Sequence, residues 1–130
     1  MDTSIIENTQ VINVFKDLNG TGGSFDITIN IDFIPDMMIV KTIQYDNKIA
    51  DEFGLTSVYT NIVNNQIASF VETTTSNPDT RFLIYNKPIR GTYNFKILDS
   101  TGLVNAGRQG DLFMQLEFVK YRRVPEQKMY

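Results

Sequence analysis

The amino-acid sequence predicts an all-β domain, an eight-stranded antiparallel β-sandwich or barrel. Three observations predict it. Phe25, Ile27, Ile29, Ile31 and Phe33 alternate with Asp26, Thr28, Asn30 and Asp32, the period-two pattern of a strand with one buried face. Around this run lie seven others of similar character, separated by turn residues at short spacing, as in sandwiches and barrels. A chain of 130 residues is the size of one domain and long enough to bury a real core without covalent staples.

The elements follow in order. Gln10–Asp17 reads as the first strand and ends at Asn19-Gly20-Thr21-Gly22-Gly23, a flexible turn. Ser24–Phe33 is the second, and its acidic side, Asp26 and Asp32, is expected to face solvent because unpaired carboxylates are costly to bury. Ile34-Pro35-Asp36 breaks the chain before Met37–Tyr45, and Asp46-Asn47-Lys48 closes that run. Leu55–Val63 and Gln66–Thr74 flank Asn64-Asn65, a pair that tolerates the positive φ of a tight hairpin. Ile62, Val63, Ile67, Phe70 and Val71 also fall on one helical face, so residues 59–71 stand open between hairpin and helix, with the β-branched residues favouring the hairpin. Asp51, Glu52 and Phe53 before Gly54 suit a short helical turn. Arg81–Lys87, Thr92–Asp99 and Asp111–Tyr121 complete the eight. The expected organisation is an N-terminal arm over 1–9, one β-sandwich over 10–121 and a basic C-terminal tail over 122–130. Immunoglobulin-like, jelly-roll and up-and-down arrangements all satisfy this pattern.

Composition narrows function by exclusion. The chain has no cysteine, histidine or tryptophan, which removes disulfides, thiolate or imidazole zinc sites, and Ser-His or Cys-His nucleophile pairs. Neither an organic cofactor nor a metal is expected. Paired carboxylates remain chemically sufficient for glycoside hydrolysis, and Asp46, Asp51 and Glu52 form the best such cluster, equally suited to Ca²⁺. Their spacing matches no known loop, so solvated charges are the expected state and an enzyme is the least favoured reading. Gly20, Gly22 and Gly23 lack the following Lys-Ser/Thr and helix that a phosphate cradle needs.

The formal net charge of −3 opposes non-specific nucleic-acid binding. Residues 1–65 hold three Lys/Arg against nine Asp/Glu, whereas 66–130 hold nine against six. That asymmetry would let the basic side of one copy face the acidic side of another if folding keeps the halves apart. The first ten residues carry Asp2 and Glu7 where a secretory signal carries lysines and an apolar run, so no signal peptide is expected. The longest apolar stretch, Met37–Val40, is far too short for a membrane helix.

Phe25, Phe33, Phe82, Phe95 and Phe118 are expected in the core because they alternate with polar residues. Tyrosine is comfortable half-wet at an interface. The candidate interface residues are therefore Tyr59, Tyr85, Tyr121 and Tyr130, with Lys120, Arg122, Arg123 and Lys128 of the basic carboxyl end.

The carboxyl half has a further cadence: Thr60-Asn61-Ile62-Val63, Ile67-Ala68-Ser69-Phe70, then Gly91-Thr92-Tyr93-Asn94-Phe95-Lys96-Ile97-Leu98-Asp99-Ser100-Thr101-Gly102 and Gly110-Asp111-Leu112-Phe113-Met114-Gln115-Leu116-Glu117-Phe118. Over residues 58–121 this pattern resembles the final strands of single jelly-roll structural proteins of double-stranded DNA viruses of the adenovirus, virophage and polinton-like kind. The resemblance favours a jelly roll. It implies a minor capsid, cement or spike component, present in the virion and made in the host cytoplasm or nucleus. Such a protein oligomerises, as a trimer or pentamer, and contacts other capsid proteins. Met1–Asn8 is short and not basic, unlike a genome-contacting arm, which is why a genome-binding role is not expected. A carbohydrate- or receptor-binding β-sandwich module is the alternative.

Overall fold

The computed structural model describes residues 3–18, 23–46, 55–71, 74–76, 78–98 and 110–124. Among them the regular structure is all strand: β1 (Thr3–Asp17), β2 (Ser24–Asn30), β3 (Met37–Asp46), β4 (Leu55–Thr60), β5 (Asn65–Val71), β6 (Thr74–Ser76), β7 (Thr80–Leu83), β8 (Arg90–Leu98) and β9 (Asp111–Val124). No helix among these residues is long and apolar enough to cross a membrane. The five-stranded sheet, sheet A, has the order β1-β9-β3-β6 with β7 also on β3, and the four-stranded sheet, sheet B, has the order β2-β8-β4-β5. Strands β6 and β7 pair with successive stretches of β3, Ile43–Tyr45 and Met37–Val40. They fill one edge position, so the sandwich has eight strand positions, as the sequence predicts.

The pairing is nested. β1 joins β9, β2 joins β8, β3 joins β6 and β7, and β4 joins β5, all antiparallel. A ribbon of four such pairs, rolled so that β9 meets β3 and β8 meets β4, is a jelly roll. The strand order thus selects one of the three arrangements that periodicity leaves open.

Alternation explains which faces meet. Phe25 and Ile29 of β2, Phe95 and Ile97 of β8, and Leu112, Met114, Leu116 and Phe118 of β9 are buried, and their strand neighbours are more exposed except Leu98 and Val119, which are also buried. Phe25 and Phe95 are cross-strand partners whose rings stack with centroids 5.5 Å apart, within the favourable range for an offset aromatic pair. Phe118 is also fully buried, and Phe33 and Phe82 pack partly buried against the same core. All five phenylalanines therefore sit as expected. Asp26 and Asp32 are exposed.

Residues 59–71 form a hairpin. β4 ends at Thr60, a four-residue turn over 61–64 follows with Asn64 at φ 51, and β5 begins at Asn65. Several boundaries move. β2 stops at Asn30 rather than Phe33, the chain bending at Asp32 and Phe33 ahead of Pro35; β4 stops at Thr60 rather than Val63, where the hairpin turn begins; and β5 stops at Val71 rather than Thr74. Residues 3–9, expected as an arm, are the start of β1 and pair with β9. Arg122 and Arg123, expected in a tail, belong to β9 and pair with Ile5 and Ser4. β7 stops at Leu83 rather than Lys87, because Tyr85 and Asn86 have φ of 59 and 58, a left-handed pair that a strand cannot contain. The helical turn expected at Asp51–Phe53 lies outside the described residues.

Candidate interaction surface

One groove gathers side chains from three distant segments. It begins with Pro35-Asp36, where the chain enters β3. The Asp36 N–H donates to the Val119 carbonyl (2.9 Å), the Asp36 carbonyl accepts from the Ile84 N–H (2.9 Å), and Asp36 Oδ2 accepts from the Tyr121 N–H (2.9 Å). One residue thereby ties together the entry to β3, the exit from β7 and the outer end of β9. Around this knot lies a groove of about 820 Å³ lined by Asp36, Met37, Arg81, Leu83, Tyr85, Asn86, Lys120 and Tyr121.

Its chemistry is mixed. Met37 and Leu83, directly opposite each other across β3 and β7, supply an apolar floor, and the Tyr121 hydroxyl touches Met37 Sδ at 3.9 Å. Neither Arg81 nor Lys120 has an ion-pair partner among the described residues. The one carboxylate in the lining, Asp36, already accepts a backbone hydrogen bond. Tyr85 stands 85% exposed at the first of the two left-handed positions. A left-handed residue other than glycine costs on the order of 1–2 kcal/mol, so the turn holds this phenol out at a cost in strain.

Of the residues singled out from sequence, Tyr85, Lys120 and Tyr121 meet in this groove. Tyr59 does not. Its neighbours Val58 and Thr60 point into the core, so it lies on the outer face of sheet B, where its hydroxyl donates to Asn64 Oδ1 (3.4 Å) and Lys96 Nζ sits 5.8 Å from its ring centroid. Arg122 is exposed on the end of β9. The side chain of Arg123, and Lys128 and Tyr130 entirely, lie outside the described residues. Sequence reasoning missed Asp36, Met37, Arg81, Leu83 and Asn86. The one local signal was Pro35-Asp36 itself, read only as a break.

A second surface is the free side of β1. Among the described residues, β1 pairs only with β9 and stands at the end of its sheet. Beyond Val119, where β3 begins opposite with Met37, β1 and β9 continue as a two-stranded ribbon that leaves Ile5 and Ile6 exposed. Within the sandwich, Val14 turns inward while Val11 and Phe15 turn outward, 44% and 65% exposed.

No metal-binding cluster of three or more carboxylates occurs among the described residues. Of the Asp46, Asp51 and Glu52 group, only the backbone of Asp46 is described, as the last residue of β3. Gly20 and Gly22 are likewise outside, whereas Gly23, at φ 79, presents its carbonyl to the Ile97 N–H (2.7 Å). Its role is in the fold. Lys41, the extra residue at the bulge between Val40 and Thr42, pairs with Asp79 (2.7 Å). The Asp79 carboxylate, chiefly through this hydrogen bond, holds the ammonium above its ordinary lysine value.

No family model matches the chain, and no curated protein matches it. Among solved structures it is similar to the Drosophila NLP core, described in connection with pentamer formation and histone binding, at 18% identity over 87% of this chain and 98% of that one, with a TM-score of 0.47. It is also similar to a Bacillus endospore appendage protein, from a family of disulfide-linked pili, at 10% identity over 92% of this chain and 91% of that one, with a TM-score of 0.32.

Proposed function

We propose that this chain is a structural protein of a viral shell, a minor capsid, cement or spike component that works by assembling with copies of itself and docking on other shell proteins. The observation that carries the reading is the open edge of β1. Sheet edges in proteins that must stay apart are short, charged, bulged or covered. Here the run Asn8–Phe15 carries no charge and no proline and has no strand partner on its outer side among the described residues. An edge of this kind is suited to being covered in an assembly. The nested strand order supports the reading, since it is the order the virion-protein resemblance implies. The groove at Asp36 supplies the second contact, with Arg81 and Lys120 available to acidic groups on a different shell protein.

Sedimentation over a concentration series tests the proposal: a discrete oligomer that grows with concentration is expected, and a monomer throughout overturns it. The exposed Tyr85 together with Tyr121 and Asn86 favours one other reading, a glycan-binding module, because phenols stack on sugar rings while an amide bonds their hydroxyls. Clear hits on a glycan array, abolished by Tyr85→Ala in a monomeric protein, would establish that reading instead.

A further inference from the structure

We propose that two copies of this chain join edge to edge through β1, antiparallel, about a two-fold axis passing through Asn13, so that sheet A of one copy continues into sheet A of the other. The inference deepens the assembly reading above and rests on it, naming the partner and the register.

The edge defines its own limits. Glu7 is the extra residue at the bulge between Ile6 and Asn8, and a bulge twists an edge away from pairing. Lys16 is the first charge at the other end. Between these two devices lies Asn8-Thr9-Gln10-Val11-Ile12-Asn13-Val14-Phe15, rich in residues suited to strands. The other described edges are less suited. β6 and β7 offer pieces of three and four residues, β2 offers seven with Asp26 near their middle, and β5 offers seven that are uncharged but broken by a bulge at Ile67, a device that twists an edge away from pairing.

Register follows from face and side-chain matching. A two-fold axis perpendicular to the sheet keeps the outer faces of both copies on one side, so outward residues must oppose outward residues. That requirement places the axis on a residue rather than between two. Centred on Asn13, the pairing sets Phe15 opposite Val11 of the second copy, twice over by symmetry, and Ile12 opposite Val14. It sets Gln10 opposite Lys16 and Thr9 opposite Asp17, so no like charges face. An aromatic opposite a β-branched residue is among the favourable cross-strand pairs. Moving the axis to Ile12 puts Phe15 opposite Thr9, moving it to Val11 puts Phe15 opposite Glu7, and moving it to Val14 puts Val11 opposite Asp17. Only the Asn13 register covers both outward apolar side chains with each other. An isologous contact of this kind closes as a dimer rather than growing into a fibre.

The absence of cysteine makes a clean test. Residues opposite at a dyad have Cα atoms about 4.5–5.5 Å apart, within disulfide range. Asn13→Cys, oxidised under native conditions, is expected to give mostly covalent dimer. Thr9→Cys is the control, since eight residues at about 3.4 Å each would separate its two copies by about 27 Å, and it is expected to stay monomeric on a reducing-agent-free gel. Circular dichroism checks that both fold. As a second, independent variant, Val11→Lys with Phe15→Lys is expected to abolish the dimer in sedimentation with the β spectrum retained. An oligomer in sedimentation without cross-linking through Cys at 13, or one that survives the double-lysine variant, overturns the dyad while leaving the assembly reading standing. A monomer at every concentration overturns both.

Discussion

Asn61 completes the edge of β8 at Asn94 in the manner of a strand residue: its N–H donates to the Asn94 carbonyl (3.2 Å), and its Oδ1 accepts from the Asn94 N–H (2.9 Å). The last backbone pair between β4 and β8 is Thr60 with Phe95. One residue later the chain has turned away, and the side-chain amide takes the place of the missing carbonyl. Asn94 in turn spreads its own amide over β2, donating to Ser24 Oγ, the Phe25 carbonyl and Asp26 Oδ1. Asn61→Ala is expected to lower stability by about 1 kcal/mol, the usual net value of one such bond. Asn61→Asp keeps the acceptor and is expected to recover most of the loss in urea denaturation. Equal losses in both would remove the side-chain acceptor from the account.

Ile29 and Asn30 test the division of β2 into two faces. Ile29 is 1% exposed, and its replacement by Ala is expected to cost about 2–5 kcal/mol through lost burial and the cavity left behind. Asn30 engages Gln10 through its backbone carbonyl, which accepts from Gln10 Nε2. Its side chain is exposed, so Asn30→Ala is expected to change stability by less than about 0.5 kcal/mol. Chemical denaturation of the two variants in parallel gives the comparison.

The knot at Asp36 should be separable from its charge. Asp36→Asn retains an acceptor for the Tyr121 N–H, whereas Asp36→Ala leaves that N–H without its partner, at a cost of about 1–3 kcal/mol. Hydrogen exchange at Tyr121 is expected to rise sharply in the Ala variant and only slightly in the Asn variant.

Two truncations separate the paired end of β9 from the residues beyond it. Removing residues 125–130 leaves every described β1 to β9 pair in place. Removing 122–130 takes away the partners of Thr3, Ser4 and Ile5, and faster exchange of those three amides, with the core unaffected, is the expected result.

Lys41 and Asp79 give a pH dependence of known sign. A lysine whose folded pKa lies above 10.5 contributes stability that is fully present below its unfolded value and is lost as pH rises through the folded one. Both side chains are substantially exposed, 38% and 59%, so the contribution is small and screened by salt. The difference in Tm between the native protein and Lys41→Met is expected to be slight and constant from neutral pH to about pH 9, and to vanish above the lysine range.

Much of the sandwich was legible because each sheet has one dry face. Phe25 to Phe33 and Leu112 to Phe118 display that asymmetry as plain alternation, and glycines or asparagines mark where the strands stop. Thr3–Asn8 escaped notice for the converse reason. It forms a two-stranded ribbon with the outer end of β9, beyond the point where β3 begins, so no inward apolar series marks it. The end of β7 was hidden by Ile84, which is buried and continues the apolar rhythm of Phe82 although the backbone has already left the strand. The groove was only half legible. Tyr85, Lys120 and Tyr121 stood out as residue types suited to an interface, but Asp36, the residue that brings them together, acts through three backbone partners that no local pattern records.

The nesting of the pairs also sets the order in which this chain must find itself. β4 and β5 are neighbours along the chain and can close a hairpin on their own, whereas Gln115 and Asn13, which bond side chain to side chain, are separated by 102 positions. Loop-closure entropy makes such distant contacts slow to form until the intervening turns are in place. β1 therefore leaves the ribosome long before its mate, and it waits with its uncharged segment bare until β9 has been synthesised. A nascent chain stalled before residue 111 would hold that strand without its mate, available to any chaperone that reads extended apolar backbone.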